Sequence, residues 1–348
     1  MMQVKAKDGR GGQLTCGRFP PHPPSNNFTP PRPFGSGQPT MISRESSTMT
    51  SRIRSIALLP VLLGAPLAQP ALADSSLAQP TYSYQLIDTF EVKGRQGVTS
   101  DGEFYYVSGS KALYKYDKSG KLLQSNENPF EGYPIPANHI GGIDVFNGEI
   151  FVSAENFADG VGKDIQIAIH DANTLKLKRA FSFEPSSGQQ EVSGICVDTD
   201  KRIVWMVSWV GEESGRYIYG YSLDTGKYLR KLHLQPVPQW IQGIHYWKGQ
   251  LFVTADDGTA DDDEPDNLYR VDVTDKTYAH VVREKVFTEV KRQGEIEAGG
   301  VDPKTGEFLV LFNRGSRIVL GMVKGFYPGY DREISEVYRY KMTPFSAK

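Results

Sequence analysis

The chain has almost no cysteine and no common catalytic signature. It contains 2 cysteines among 348 residues, and Cys16 lies in the N-terminal segment, ahead of every predicted strand. Cys196 therefore has no partner for an intrachain disulfide, and its place between Ile195 and Val197 indicates a small buried residue. The patterns Gly-x-Ser-x-Gly, His-Glu-x-x-His, Cys-x-x-Cys and the P-loop are all missing. These absences exclude the usual signatures of serine hydrolases, zinc proteases, dithiol oxidoreductases and P-loop nucleotide-binding proteins.

The sequence also lacks an excess of positive charge. It has 39 Lys and Arg against 41 Asp and Glu. Residues 1–73 hold 8 of the basic and 2 of the acidic residues, which leaves 31 basic and 39 acidic residues, a net charge of −8, in the rest. Because nucleic-acid binding needs a basic surface, we expect no nucleic-acid partner. An acidic domain is instead compatible with cation binding.

The first 48 residues show no apolar periodicity. They are rich in Pro, Gly, Ser and Asn, a composition typical of disorder. Residues 1–48 are therefore interpreted as a disordered N-terminus or as an over-extended gene start, with Met41 or Met49 as the alternative start.

Residues 49–73 have the layout of a secretory signal peptide. Arg52 and Arg54 precede the apolar run Ile56–Leu67, which is too short to span a bilayer, and Ala71-Leu72-Ala73 forms a small-residue cleavage site. A weak membrane anchor is the alternative. We predict a secreted or periplasmic protein whose mature part, 74–348, is a single domain without a membrane span.

A short glycine phrase recurs five times and sets the architecture. The phrases are spaced by 45, 52, 49 and 57 residues, measured between their glycines, a recurrence typical of repeat proteins. The phrases are Arg95-Gln96-Gly97-Val98, His139-Ile140-Gly141-Gly142-Ile143, Glu191-Val192-Ser193-Gly194-Ile195, Trp240-Ile241-Gln242-Gly243-Ile244 and Glu297-Ala298-Gly299-Gly300-Val301, with Gly97, Gly142, Gly194, Gly243 and Gly300 as the key glycines.

Each phrase begins a unit of four short strands. A polar turn such as Asn147-Gly148 or Lys248-Gly249 follows the phrase, and further alternating strands come after it. Unit five stops after its third strand, and a lone strand, Ser83–Val92, precedes unit one. We therefore predict an all-β fold, a five-bladed β-propeller of four-stranded blades, in which this N-terminal strand closes the ring as the outer strand of blade five. Six blades is the alternative, and a β-sandwich would not repeat one phrase five times.

The order of these elements resembles that of known propellers. Segments such as 101–107 (DGEFYYV) and 218–227 (IYGYSLDTGK), placed after each glycine phrase, are similar to those of the broad NHL, gluconolactonase-like and quinoprotein-dehydrogenase-like superfamily. The resemblance covers the predicted mature chain and implies the fold. It does not select a subfamily, because these propellers include lactonases, phosphotriesterases, lyases and binding modules.

Two sets of polar residues are expected to meet at one mouth of the central channel. One set starts the inner strands and the other ends the second strands, and both ends face the same side of a propeller. The candidates are His139 as an acid/base, Glu191, Glu297, Asn156 and Asp256 as metal ligands, and Gln96, Trp209, Trp240, Gln242, Asn313 and Arg314 as ligand-binding residues.

These residue types allow two kinds of function. Carboxylate and amide oxygens suit Ca²⁺, and the resemblance implies calcium-dependent hydrolases with a comparable ring of ligands. His139 would then act as a general base. A metal-dependent hydrolase or lyase is thus one hypothesis, and a non-catalytic propeller that binds a small molecule, a glycan or a protein is the other. Solvated mouth residues without a function are the structural alternative.

Two loops are predicted to flank this mouth. The acidic stretch 256–267 lacks the spacing of an EF-hand and favours a solvated loop over a calcium loop. The insertion 315–334 carries basic and aromatic residues and is expected to overhang the mouth, either as a clamp on a ligand or as a plug.

Overall fold

The fold is taken from a computed structural model that describes residues 79–345, except 159, 183, 211–212, 261, 274–275, 291–292 and 320. The predicted disordered segment and signal peptide lie outside these residues. Short alternating apolar strands, separated by Gly- and Asp-rich turns, form nearly all of the regular structure, with two 3₁₀ turns at Pro185–Ser187 and Ser214–Arg216. No helix in the described part of the chain is long and apolar enough to cross a membrane.

The strands are β1 (Tyr82–Val92), β2 (Gly97–Ser100), β3 (Tyr105–Gly109), β4 (Ala112–Tyr116), β5 (Leu122–Asn126), β6 (His139–Phe146), β7 (Glu149–Ala158), β8 (Val161–Asp171), β9 (Leu177–Phe181), β10 (Gly194–Asp198), β11 (Ile203–Val207), β12 (Tyr217–Ser222), β13 (Tyr228–Gln235), β14 (Ile241–Trp247), β15 (Gln250–Ala255), β16 (Asn267–Asp272), β17 (Tyr278–Val286), β18 (Gly294–Val301), β19 (Glu307–Arg314), β20 (Ser316–Val319), β21 (Met322–Phe326) and β22 (Ile334–Pro344).

These strands form a five-bladed β-propeller. Blades one to four are consecutive antiparallel sheets, β2–β5, β6–β9, β10–β13 and β14–β17, and blade five is β18-β19-β22-β1. The remaining two strands, β20 and β21, make a hairpin inserted into blade five. The predicted five-bladed fold is confirmed.

The N-terminal strand closes the ring as predicted. β1 pairs antiparallel with β22, from Tyr82 opposite Pro344 to Val92 opposite Ser335. Glu284 on the neighbouring blade four accepts hydrogen bonds from the backbone N–H groups of Thr81 (2.9 Å) and Tyr82 (2.8 Å). Closure therefore covers a sheet edge and ties the start of β1 to the next blade.

Five separate apolar clusters fill the spaces between adjacent blades. Each cluster contains buried side chains from two neighbouring blades, and together they link all five blades in a ring. Trp205, for example, is fully buried between blades three and four. Cys196 lies in the same cluster with an exposure of 0%, as its neighbours in the sequence predicted.

Small residues meet at the axis of the ring. A Cβ atom on Gly194 would lie 2.7 Å from the Cα of Gly243, and one on Gly243 would lie 2.5 Å from the Cα of Ala298. Gly97 approaches Ala298 and Gly142, and Gly142 approaches Gly194, so the contacts form a closed ring. We call these five residues, Gly97, Gly142, Gly194, Gly243 and Ala298, the axial ring. The phrase glycines therefore allow the inner strands to touch.

The assignment of Gly300 as the key glycine of blade five was wrong. Ala298 occupies the axial ring, and it is the residue that pairs with Gly97 of blade one. Gly300 lies two residues further on, against the ring of His245. The tandem glycines Gly299-Gly300 concealed this shift of two residues, because the axial position of blade five is occupied by alanine and not by glycine.

The axial ring predicts a graded response to alanine. Gly243→Ala places its Cβ against backbone atoms that cannot rotate away, so we expect a loss of about 3 kcal/mol in the free energy of unfolding. Gly97→Ala meets a single methyl group at 3.2 Å and should lose about 1 kcal/mol. Urea denaturation measures both, and equal losses would contradict the ring.

Candidate active site at the mouth of the channel

β-Bulges interrupt three of the inner strands beside the axial ring. In β6 two residues, Gly141 and Gly142, oppose one residue of β7, and β14 and β18 have the same irregularity beside Gly243 and Ala298. Such bulges redirect side chains. In the four blades other than blade two, the residue before the axial ring lines a cavity of about 90 Å³, and we call these four residues its floor. The floor residues are Gln96, Ser193, Gln242 and Glu297.

The walls come from the ends of the same strands and from their neighbours. His139 and Glu191 stand three residues before the axial ring, and Glu295, not Glu297, is their counterpart in blade five. Arg95, Trp209 and other residues complete the wall. We call this space the mouth pocket, and its lining is Arg95, Gln96, Ser110, His139, Phe157, Glu191, Ser193, Trp209, Gln242, Glu295, Glu297 and Gly321.

One wall of the mouth pocket carries a histidine–carboxyl pair, of which His139 lines the pocket and Glu155 lies behind it. The Nδ1 atom of His139 lies 3.1 Å from the Oε1 atom of Glu155. The other carboxyl oxygen of Glu155 accepts a hydrogen bond of 3.1 Å from the backbone N–H of Val192 on the next blade. Within the described residues, Nε2 of His139 has no hydrogen-bond partner, so it is the ring nitrogen left for a ligand.

Burial sets the charge of this pair. The Glu155 side chain is fully buried, and burial raises the pKa of its carboxyl to about 8 although the Val192 N–H opposes the shift. Burial also lowers the pKa of His139 to about 4, helped by the positive charges of Arg95 and Lys111. Both groups are therefore neutral at pH 7, and the protonated carboxyl of Glu155 donates a hydrogen bond to Nδ1 of His139.

Glu191 is a second buried acid beside this pair. Its Oε2 atom accepts a hydrogen bond of 2.6 Å from the backbone N–H of Trp209. Burial, followed by the nearby charge of Glu155, raises the pKa of Glu191 well above its usual range. Glu191 is thus a fixed hydrogen-bonding group that favours its protonated form.

Glu297 belongs to an acidic group centred on Arg95. The guanidinium forms ion pairs with Glu295 and, at 2.7 Å, with Glu333, and it lies 3.8 Å from Glu297. Asn313 donates a hydrogen bond of 2.7 Å to Glu297. Burial, then the charge of Glu295, raises the pKa of Glu297, so the single guanidinium does not offset all three acids.

The four predicted calcium ligands are not brought together. Glu191 and Glu297 line the mouth pocket, whereas Asp256 lies in a neighbouring cavity and Asn156 is exposed on β7. Among the described residues, no three His, Cys, Asp or Glu side chains are grouped so that they could hold a metal ion. We therefore derive no chemical step through a metal.

The predicted ligand-binding residues are divided in the same way. Gln96, Trp209 and Gln242 line the mouth pocket, and Asn313 supports it from behind through Glu297. Trp240 is not in the lining but packs on the lining residue Trp209, with ring centroids 4.9 Å apart. Arg314 instead forms two hydrogen bonds to Glu336, of 2.9 and 3.0 Å, and is outside the lining.

The predicted site residues did not include Arg95, Glu295 and Phe157, which line the pocket, or Glu155, the buried partner of His139. Regular hairpin pairing from the Asn147-Gly148 turn would place Asn156 opposite His139. The bulge in β6 adds one residue to that strand, so the residue opposite His139 is Glu155. The same kind of bulge accounts for Glu295. A repeated bulge beside the phrase glycine is the signal that would have identified both residues.

The insertion in blade five reaches the mouth as predicted. Its β20–β21 hairpin brings Gly321 into the lining, and a Cβ atom there would lie 3.1 Å from the ring of Phe157. The acidic loop is exposed at residues 262–264, as predicted for a solvated loop, whereas Asp256 is half-buried, and burial followed by the charge of Asp266 raises its pKa. Hairpin and loop together form one side of the mouth.

The opposite mouth contains a larger cavity, of about 430 Å³. Its two buried ionisable side chains, Asp144 and His245, are engaged in blade-to-blade contacts. Asp144 accepts a hydrogen bond from the Val197 N–H at 2.9 Å, and His245 accepts one from the Val301 N–H at 2.9 Å. Because these groups hold the ring together, we place the candidate site at the mouth of His139.

Comparison with known proteins gives structural similarity alone. No protein-family model matches the chain, and no curated protein matches its sequence. Among solved structures, it is similar to glutaminyl cyclase from Myxococcus xanthus, with a TM-score of 0.48, 9% identity, and 77% of this chain and 100% of that chain covered. It is also similar to hydrazine synthase from Kuenenia stuttgartiensis, with a TM-score of 0.38, 10% identity, and 73% and 68% covered.

The buried acid predicts how stability depends on pH. Folding raises the pKa of Glu155, so the stability that this carboxyl contributes is lost as the pH rises toward 8. Folding lowers the pKa of His139, so the stability that depends on this group is lost as the pH falls below 6.5. Between pH 6.5 and 8 the unfolding free energy should therefore fall more steeply in the wild type than in Glu155→Gln, by up to about 1.4 kcal/mol per pH unit. Urea denaturation across this range tests it, with the exposed Glu103→Gln as control. Parallel curves for wild type and Glu155→Gln would refute the buried acid.

Proposed function

We propose that the protein binds a small polar ligand in the mouth pocket and acts on it by proton transfer, as a hydrolase or lyase. The observation that carries this proposal is the contact between His139 Nδ1 and the buried carboxyl of Glu155, which leaves Nε2 to the ligand. A pair of titratable groups whose pKa values are shifted apart in a cleft is typical of acid–base sites.

The pair changes its role with pH. While Glu155 is protonated it donates to Nδ1, so the ring proton is on Nε2 and can be donated to a carbonyl or leaving-group oxygen. When Glu155 loses its proton, near pH 8, it accepts a hydrogen bond from Nδ1–H. Nε2 then has a free lone pair, and it can take a proton from water or from an acidic carbon of the ligand.

The other lining groups would position the ligand. Gln96 and Gln242 offer amide donors and acceptors on the floor, and Ser110 and Ser193 offer hydroxyl groups. Glu191 and Glu297 favour their protonated forms and can donate hydrogen bonds, because burial raises their pKa values. This chemistry suits an oxygen-rich ligand more than an apolar one.

Turnover should depend on both members of the pair. We expect His139→Ala to lower kcat about 10²- to 10⁴-fold on any substrate of a panel of lactones, aryl esters and uronate polymers. In the wild type the rate should rise near pH 8, where Glu155 loses its proton and Nε2 becomes a base. Glu155→Gln keeps an N–H donor toward Nδ1 at every pH, so this rise should be absent from the variant. His280→Ala, on the exposed side of blade four, is the control. Wild-type turnover by His139→Ala would exclude the acid–base role, and binding without turnover of the whole panel would favour a non-catalytic binding propeller.

Calcium binding stays a prediction from the sequence. Glu191 and Glu297 are the two predicted ligands in the mouth pocket, and a cation there would relieve the crowding of buried carboxyls. Metal binding predicts about one Ca²⁺ per chain by elemental analysis and a melting temperature that rises with calcium, with the rise lost in Glu191→Gln. Equal melting temperatures in calcium and in chelator would argue against a calcium site.

A secreted or periplasmic location is part of the proposal. It is supported by the signal-peptide layout of residues 49–73 and by the acidic composition of the following chain.

A further inference from the structure

A second, larger chamber adjoins the mouth pocket. It has a volume of about 250 Å³, compared with about 90 Å³ for the mouth pocket. Trp209, Glu295 and Gly321 line both spaces, so the two are direct neighbours. A ligand that reaches His139 therefore has room for a second unit to one side.

A pair of tryptophans lies at this chamber: Trp209 lines it, and Trp240 packs on Trp209. The rings of Trp209 and Trp240 are 4.9 Å apart with an angle of 37° between their planes, and Trp240 is 42% exposed. The backbone N–H of Trp209 donates to Glu191 at 2.6 Å, and the carbonyl of Trp240 accepts the N–H of Asp256 at 3.0 Å. The backbones that carry the two rings are thus tied to the mouth pocket and to the acidic loop.

Hydrogen-bonding groups line the same chamber as Trp209. They include Asp256 and Glu295 and, from the blade-five insertion, Ser316 and Tyr327. A flat aromatic face with polar groups at its edge fits a ring that is apolar on its faces and hydroxylated at its rim. A sugar ring has this distribution, whereas a purely apolar group would leave the acids without partners.

We propose that the ligand is a saccharide of at least two units, with one ring against Trp209 in the chamber, next to Trp240, and the next unit in the mouth pocket beside His139. The inference rests on the proposed function for the position of the second unit. The stacking of the first ring on the tryptophans is independent of any turnover.

Titration with saccharides of increasing length tests this proposal. The probes are glucose, galactose, N-acetylglucosamine and galacturonic acid, each with its linked di- and trisaccharide, followed by tryptophan fluorescence and calorimetry. In at least one series the disaccharide should bind 10-fold or more tightly than the monosaccharide. Trp240→Ala and Trp209→Ala should lose that gain. Trp247→Ala, at the opposite mouth, should keep it. Trp240 is exposed, so its variant remains informative if Trp209→Ala does not fold.

The outcomes separate this inference from the proposed function. Equal affinity for mono- and disaccharides, the absence of saccharide binding, or tryptophan variants that match Trp247→Ala would overturn the saccharide proposal. If the tryptophan variants lose the higher affinity for the disaccharide, the saccharide proposal is supported, whether or not His139→Ala alters turnover. Unchanged turnover in His139→Ala with intact tryptophan effects would overturn the acid–base role alone.

Discussion

The close approach of five inner strands at the axis is the constraint on which this structure depends. At Gly194 and Gly243 the axial ring has no space for a Cβ atom, and alanine is present only at position 298. Strands that touch so closely cannot all continue with regular pairing, and the bulges in β6, β14 and β18 lie directly beside the ring. At the bulges of β14 and β18 the residues Gln242 and Glu297 line the mouth pocket, so packing at the axis and the lining of the site are linked there.

The mouth pocket collects carboxyl groups in a place where ionisation is costly. Glu191 is buried near Glu155, Glu297 is buried near Glu295, and Arg95 is the single cation among the pocket's described lining residues. A folded protein of marginal stability rarely keeps such a group without a use, because hydrophobic replacements would be less costly. Neutral acids also give the pocket hydrogen-bond donors at pH 7, which is the property that the proposed ligand and chemistry require.

Much of the fold could be predicted from the sequence, whereas the site could be predicted in part. The recurrent glycine phrases and hairpin turns were enough for five blades and for closure by β1, since both depend on patterns within a single unit. The partner of His139 depends on register across a bulge, and a shift of one residue exchanges Asn156 for Glu155. In blade five the axial residue is Ala298, so a search for glycine alone placed Glu297 where Glu295 stands. Calcium ligation, ligand identity and location stay predictions.

The protonation of His139 tests the central claim most directly. Nitrogen-15 NMR of the imidazole, assigned by comparison with His139→Ala, reports which ring nitrogen carries the proton as the pH is varied. If Glu155 is a buried acid that donates to Nδ1, the proton should be on Nε2 at pH 7 and move to Nδ1 with a midpoint near 8, and Glu155→Gln should abolish the change. A histidine that instead titrates near its ordinary pKa of about 6.5, or one tautomer throughout in the wild type, would contradict the account.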